Sequence, residues 1–69
     1  MKKNYELSRI IKSARIEKGI SQREFALALG TNVSVVAQWE NHGIEPSASF
    51  IRDINLILGV VVDYLLDLN

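Results

Sequence analysis

An all-α fold, a compact five-helix domain, is what this sequence predicts, and three observations predict it. Apolar residues recur at helical three- and four-residue steps: Leu7, Ile11 and Ala14, then Phe25, Ala26 and Leu29, then Val36 and Trp39, then Ile51, Ile54 and Leu58. Gly19, Gly30 and Gly59 fall just beyond three of these runs, where helices stop. Only Val60-Val61-Val62 suits a strand, and it has no second strand-like run to pair with. The 69 residues fit one domain, 1–69. A chain of this size buries roughly 60% of its extended-chain surface, so a lone core is marginal.

The first helix spans Tyr5–Lys18 and stops at Gly19. Ser21 caps the second, and Ser21 with Glu24 makes an S-x-x-E capping box in which each side chain satisfies an orphan N–H. That helix ends near Leu29, and Gly30-Thr31 forms the turn. Asn32 caps the third helix, Val33–Glu40. Asn41–Pro46 is a loop, because Pro46 disfavours helix at Glu45. Ser47 caps the fourth helix, which Gly59 ends, and a short fifth, Val62–Leu68, presents Leu65 and Leu66.

Residues 21–41 form the most informative unit. Two helices meeting at a wide angle through a three- or four-residue turn need a small residue at the crossing, here Ala26, and a residue that tolerates positive φ, here Gly30. Phe25, Leu29, Val36 and Trp39 then bury the inner surfaces, leaving the outer face of Asn32–Asn41 uncovered. Residues 33, 34, 37 and 38 share one outward arc of the third helix, so function is sought there.

Composition narrows the rest. At 48% hydrophobic, with one Pro and four Gly, the chain belongs with globular proteins. No Cys means no disulfide and no thiolate metal site, which fits a reducing cytoplasm. The amino terminus lacks the apolar stretch of a signal peptide. Phe50–Leu66 is interrupted by Arg52, Asp53, Asn55 and Asp63, which argues against a membrane span. Net charge is zero but lopsided: residues 1–23 hold seven Lys and Arg against two Glu, and residues 24–69 hold Arg52 against six acidic groups. A solvated basic helix would give such a count, and so would a phosphate-facing surface. His42 is the single histidine, next to Gly43 in a helix-ending loop, and no paired carboxylates, glycine-rich phosphate loop or Ser-His-Asp set can be assembled around it. The chain is therefore not expected to be an enzyme, and no metal or cofactor is expected.

Six motifs fall in a recognisable order: L-x-x-x-I-x-x-x-R (Leu7, Ile11, Arg15), G-I-S-Q (Gly19–Gln22), F-A-x-x-L-G (Phe25–Gly30), W-E-N (Trp39–Asn41), P-S (Pro46-Ser47) and L-G-V (Leu58–Val60). In order and spacing they resemble the helix-turn-helix domain of the Cro/phage-repressor-like (XRE) family, over about Leu7 to Leu66. The resemblance implies a five-helix lambda-repressor-like domain whose second and third helices are the DNA-reading pair. It implies that Asn32, Val33, Ser34, Ala37 and Gln38 face base edges. Gln22 and Asn41 match phosphate contacts, while Arg23, Lys12 and Arg9 suit phosphate by charge alone. Arg15 and Glu40 match an ion pair tying the first helix to the end of the third.

The chain departs from that family in three places. The loop glycine falls at Gly43, with His42 at the usual position; Val61 replaces a frequent Ser cap; and the reading face carries no Arg or Lys. Without those cations the commonest guanine contact is lost, so an A·T-leaning site is expected. The expected function is a sequence-specific double-stranded DNA-binding regulator, a repressor reading a near-palindromic operator, in the cytoplasm of a bacterium or encoded by a phage. With no effector domain expected, binding itself is the output, and no small-molecule effector is evident. Val60, Tyr64, Leu65 and Leu68 are the expected homodimer contacts. The runner-up is an antitoxin-like or assembly module acting through protein–protein contacts.

Overall fold

In a computed structural model of the chain, residues 3–66 are described. They form α1 (Tyr5–Glu17), α2 (Gln22–Leu29), α3 (Val33–Asn41) and α4 (Ala48–Leu58), followed by a 3₁₀ turn at Asp63–Leu65, and no strand occurs among them. The starts of the first three helices have a local cause. The Asn4 side chain accepts from the Leu7 N–H, Ser21 and Glu24 form the complete capping box, and Asn32 accepts from the Val35 N–H. Ser47 holds the cap position of α4, but its hydroxyl pairs with that of Ser49 and caps nothing. Gly30 ends α2 at φ +75°, a left-handed conformation that costs a residue with a side chain. The turn satisfies the last carbonyls of α2: the Gly30 N–H donates to the Leu27 carbonyl at 3.1 Å and the Thr31 N–H to the Ala26 carbonyl at 2.9 Å.

The apolar stripes meet in one core. Leu7 and Ile11 of α1, Phe25, Ala26 and Leu29 of α2, Val36 and Trp39 of α3, and Ile51, Ile54 and Leu58 of α4 are all buried. α1 and α2 each pack against both α3 and α4. Ala26 is small where α2 meets its neighbours, and it is almost wholly enclosed.

The fifth helix is not formed within the described residues: four α-helices are present, and residues 62–66 hold the short 3₁₀ turn with Leu66 already extended beyond it, while residues 67 and 68 of the expected helix lie outside the described residues. Three consecutive β-branched valines disfavour a helical entry. Asn55 of α4 anchors the segment, its oxygen accepting from the Val62 N–H at 3.1 Å and its nitrogen donating to Asp63 at 2.6 Å. Val62 is fully buried and completes the core instead. The acceptor missing at Val61 is thus supplied from another element.

Candidate nucleic-acid interface

Everything that positions α3 acts on its buried side. Val36 is enclosed, and the Trp39 ring meets the Phe50 ring edge-on at 5.2 Å between centroids and 61° between planes. Arg15 grips Glu40 bidentately, Nε to Oε2 at 2.8 Å and Nη2 to Oε1 at 3.0 Å, while Nη1 donates to the Ile20 carbonyl at 2.7 Å. Gln22 Nε2 adds a donor to Glu40 Oε1 at 3.2 Å, and the Ser8 hydroxyl donates to the Trp39 carbonyl. Arg15 and Glu40 are 8% and 6% exposed, a burial that charged groups tolerate only when paired and hydrogen-bonded. The carboxyl end of α3 is therefore tied to α1 and α2 at once.

The opposite face is in water. Asn32, Val33, Ser34 and Gln38 are exposed, and Ala37 is half-exposed. Val33, at 46% exposure, is an apolar group among polar ones. The Asn32 carboxamide oxygen is taken by the Val35 N–H at 3.2 Å and by the Ser34 hydroxyl. With its oxygen so occupied, Asn32 is not poised for a bidentate pair with adenine, which needs the oxygen as well as the nitrogen. Gln38 has no such commitment among the described residues.

Arg9, Lys12, Arg23 and Asn41 are exposed. Arg23 lines an open cleft of about 280 Å³ together with Asn32 and Val33, its other walls being Ala26, Leu27 and Thr31. One cation from α2 therefore shares a surface with the amino end of α3. Gln22 is half-buried and its nitrogen is turned inward to Glu40.

The loop after α3 explains the displaced glycine. His42 sits at φ −120°, where any residue is at ease, whereas Gly43 sits at φ +70°. A Cβ on Gly43 would lie 3.0 Å from the Lys3 Cβ and 3.1 Å from the Tyr5 ring. Glycine is needed at 43 both for its φ and for this close approach. In the tail, Val60 and Leu65 are half-buried against the core and Tyr64 is 76% exposed, while Leu68 lies outside the described residues.

Sequence reasoning missed Asn4, Ser8, Leu27 and Asn55. Asn4 stands directly before the first periodic apolar residues, which is the ordinary signal of a cap. The other three carry no local signal. Among the described residues no group of His, Cys, Asp and Glu is placed to hold a metal ion, and no helix is long and apolar enough to cross a membrane.

Two comparisons bear on this arrangement. A family model described as Helix-turn-helix matches residues 11–65, most of the chain and all of the α2–α3 unit. An uncharacterized HTH-type transcriptional regulator of Bacillus subtilis (strain 168), YazB, is 39% identical over 57 residues, covering 83% of each chain.

Proposed function

The chain belongs to the helix-turn-helix family of DNA-binding regulators, and from that membership we propose that it is a sequence-specific repressor reading double-stranded DNA through α3. The observation that carries the reading is the two-sidedness of α3: locked by Arg15, Glu40 and Trp39 on one side, it offers Val33, Ser34 and Gln38 to solvent on the other. A major groove admits one α-helix. Gln38 pairs bidentately with adenine, Val33 packs on a thymine methyl, Ser34 bonds to a neighbouring base, and Ala37 is small enough to let the helix approach closely. Arg23, Arg9, Lys12 and Asn41 fix register through phosphates, Gln22 adds the amide hydrogen that Glu40 leaves over, and none of them carries sequence information.

With no cation on the reading face, A·T pairs are favoured and one domain binds weakly. Two copies joined through Val60, Tyr64 and Leu65 set two α3 helices about 34 Å apart, the repeat of consecutive major grooves, over a near-palindromic operator. Occupying a promoter in the cytoplasm is then sufficient for repression, without cofactor or effector. A second reading, an assembly module, draws on the exposed apolar Leu56, Val61 and Tyr64.

Selection of sites from randomised duplexes tests the reading. The expected result is an A·T-rich palindrome, with log affinity falling against log salt by about 0.9 per phosphate neutralised. Gln38→Ala should relax preference at one position per half-site by about 1–3 kcal/mol. An unaltered profile would remove Gln38 from its role, and a shallow salt slope would favour the assembly module.

A further inference from the structure

Every polar atom of Asn4 is engaged, and only one of its bonds is needed to start a helix. The carboxamide oxygen caps α1 through the Leu7 N–H at 3.1 Å. The backbone carbonyl accepts from the Ser8 N–H and hydroxyl, both at 3.1 Å. The backbone N–H donates to the Gly43 carbonyl at 2.7 Å. The carboxamide nitrogen donates twice, to Glu45 Oε2 at 2.6 Å and to the Leu65 carbonyl at 2.7 Å. Ser, Thr or Asp would cap equally well, but none of their side chains supplies those two N–H donors.

The two long bonds join three places that are distant in sequence. Gly43 and Glu45 belong to the loop that Asn41 leads into, and Leu65 belongs to the turn that carries Tyr64. Gly43 is buried beneath Lys3 and Tyr5, so the loop cannot slide unless the amino-terminal segment moves too. We propose that Asn4 is a positioning residue that clasps the loop after α3 to the tail, so that the loop's phosphate contact and the tail surface move as one body. The consequence for DNA rests on the function proposed above; the clasp itself does not.

Asn4→Asp isolates this role. It keeps the capping oxygen, removes both donor hydrogens and sets a carboxylate against Glu45. Adding Glu45→Gln lets the new amide at position 45 donate to the new carboxylate at position 4, restoring the loop bond with reversed polarity and leaving the Leu65 carbonyl without its donor. The full chain and both variants are compared at a temperature where circular dichroism shows each of them folded. Affinity for the duplex selected by the unaltered protein should fall about tenfold in Asn4→Asp, the scale of one charge-assisted hydrogen bond, and largely return in the double variant. Amide exchange should quicken at Ile44 and Leu65 in Asn4→Asp, then slow again at Ile44 alone in the double variant. Unchanged exchange at both amides in Asn4→Asp overturns the clasp. Changed exchange with unchanged duplex affinity, or no recovery in the double variant, overturns its part in DNA contact. If the unaltered protein selects no duplex, the DNA reading falls, and the exchange result still decides the clasp.

Discussion

Arg15 reaches Glu40 across 25 residues of sequence and holds the carboxylate with two nitrogens while a third bonds the Ile20 carbonyl. Removing the guanidinium by Arg15→Met leaves Glu40 buried with Gln22 as its remaining side-chain donor. The expected cost is about 3–5 kcal/mol, the usual penalty for stranding one partner of a buried pair. Combining it with Glu40→Leu should return most of that loss, because well-packed apolar groups often replace such a pair at little cost. Denaturant midpoints measure both, and a single variant that unfolds with the unaltered protein would show that the pair does not set the position of α3. Resemblance matched Arg15 with Glu40, but no local property of either residue does so. Asn4 shows the same limit: its capping oxygen has a local signature, whereas its reach to Glu45 and Leu65 exists only once the chain has closed.

At the scale of elements, α2 carries a pH-sensitive start. Glu24 accepts from the Ser21 N–H at 2.8 Å, and the Ser21 hydroxyl accepts from the Glu24 N–H at 3.0 Å. The Ser21 N–H first, then the Ser21 hydroxyl near the carboxyl, hold Glu24 below its ordinary value. A carboxyl with a lowered value in the folded chain binds protons more readily when unfolded, so its contribution is full above the ordinary glutamate range and fades as pH falls through the lowered value. Melting temperatures of the unaltered protein and Glu24→Gln should therefore converge as pH falls through and below the ordinary glutamate range. A gap that stays constant would exclude this role for Glu24. The same box made α2 legible in the sequence, as did Gly30 and Asn32 for the turn and α3, because cap, stop and apolar period agreed locally. The end of the chain was not legible, since Asn55 on α4 decides how residues 62 and 63 are used. Ser47 misled in a smaller way, its hydroxyl preferring Ser49 to the helix it precedes.

At the scale of the whole molecule, one copy offers one α3, the helix proposed to read DNA. A palindrome has two half-sites, roughly 34 Å apart on one face, so reading it in that way takes a second copy. Tyr64, at 76% exposure on the tail, is expected to anchor the second copy. Sedimentation at high micromolar concentration should show a dimer, and Tyr64→Arg should leave a folded monomer. A monomer in the unaltered protein, with and without duplex, would remove the two-copy arrangement. Composition and charge lead to the expectation of one domain, basic at its start and acidic after it, whereas the surface proposed to pair it with a second copy depends on how the tail folds back. The chain also holds one tryptophan. Since Trp39 lies on α3 with its ring wedged against Phe50 and its backbone carbonyl held by Ser8, its indole, which can be excited apart from Tyr5 and Tyr64, sits on the inward side of α3. Its emission follows the detachment of that element from its supports without any attached dye.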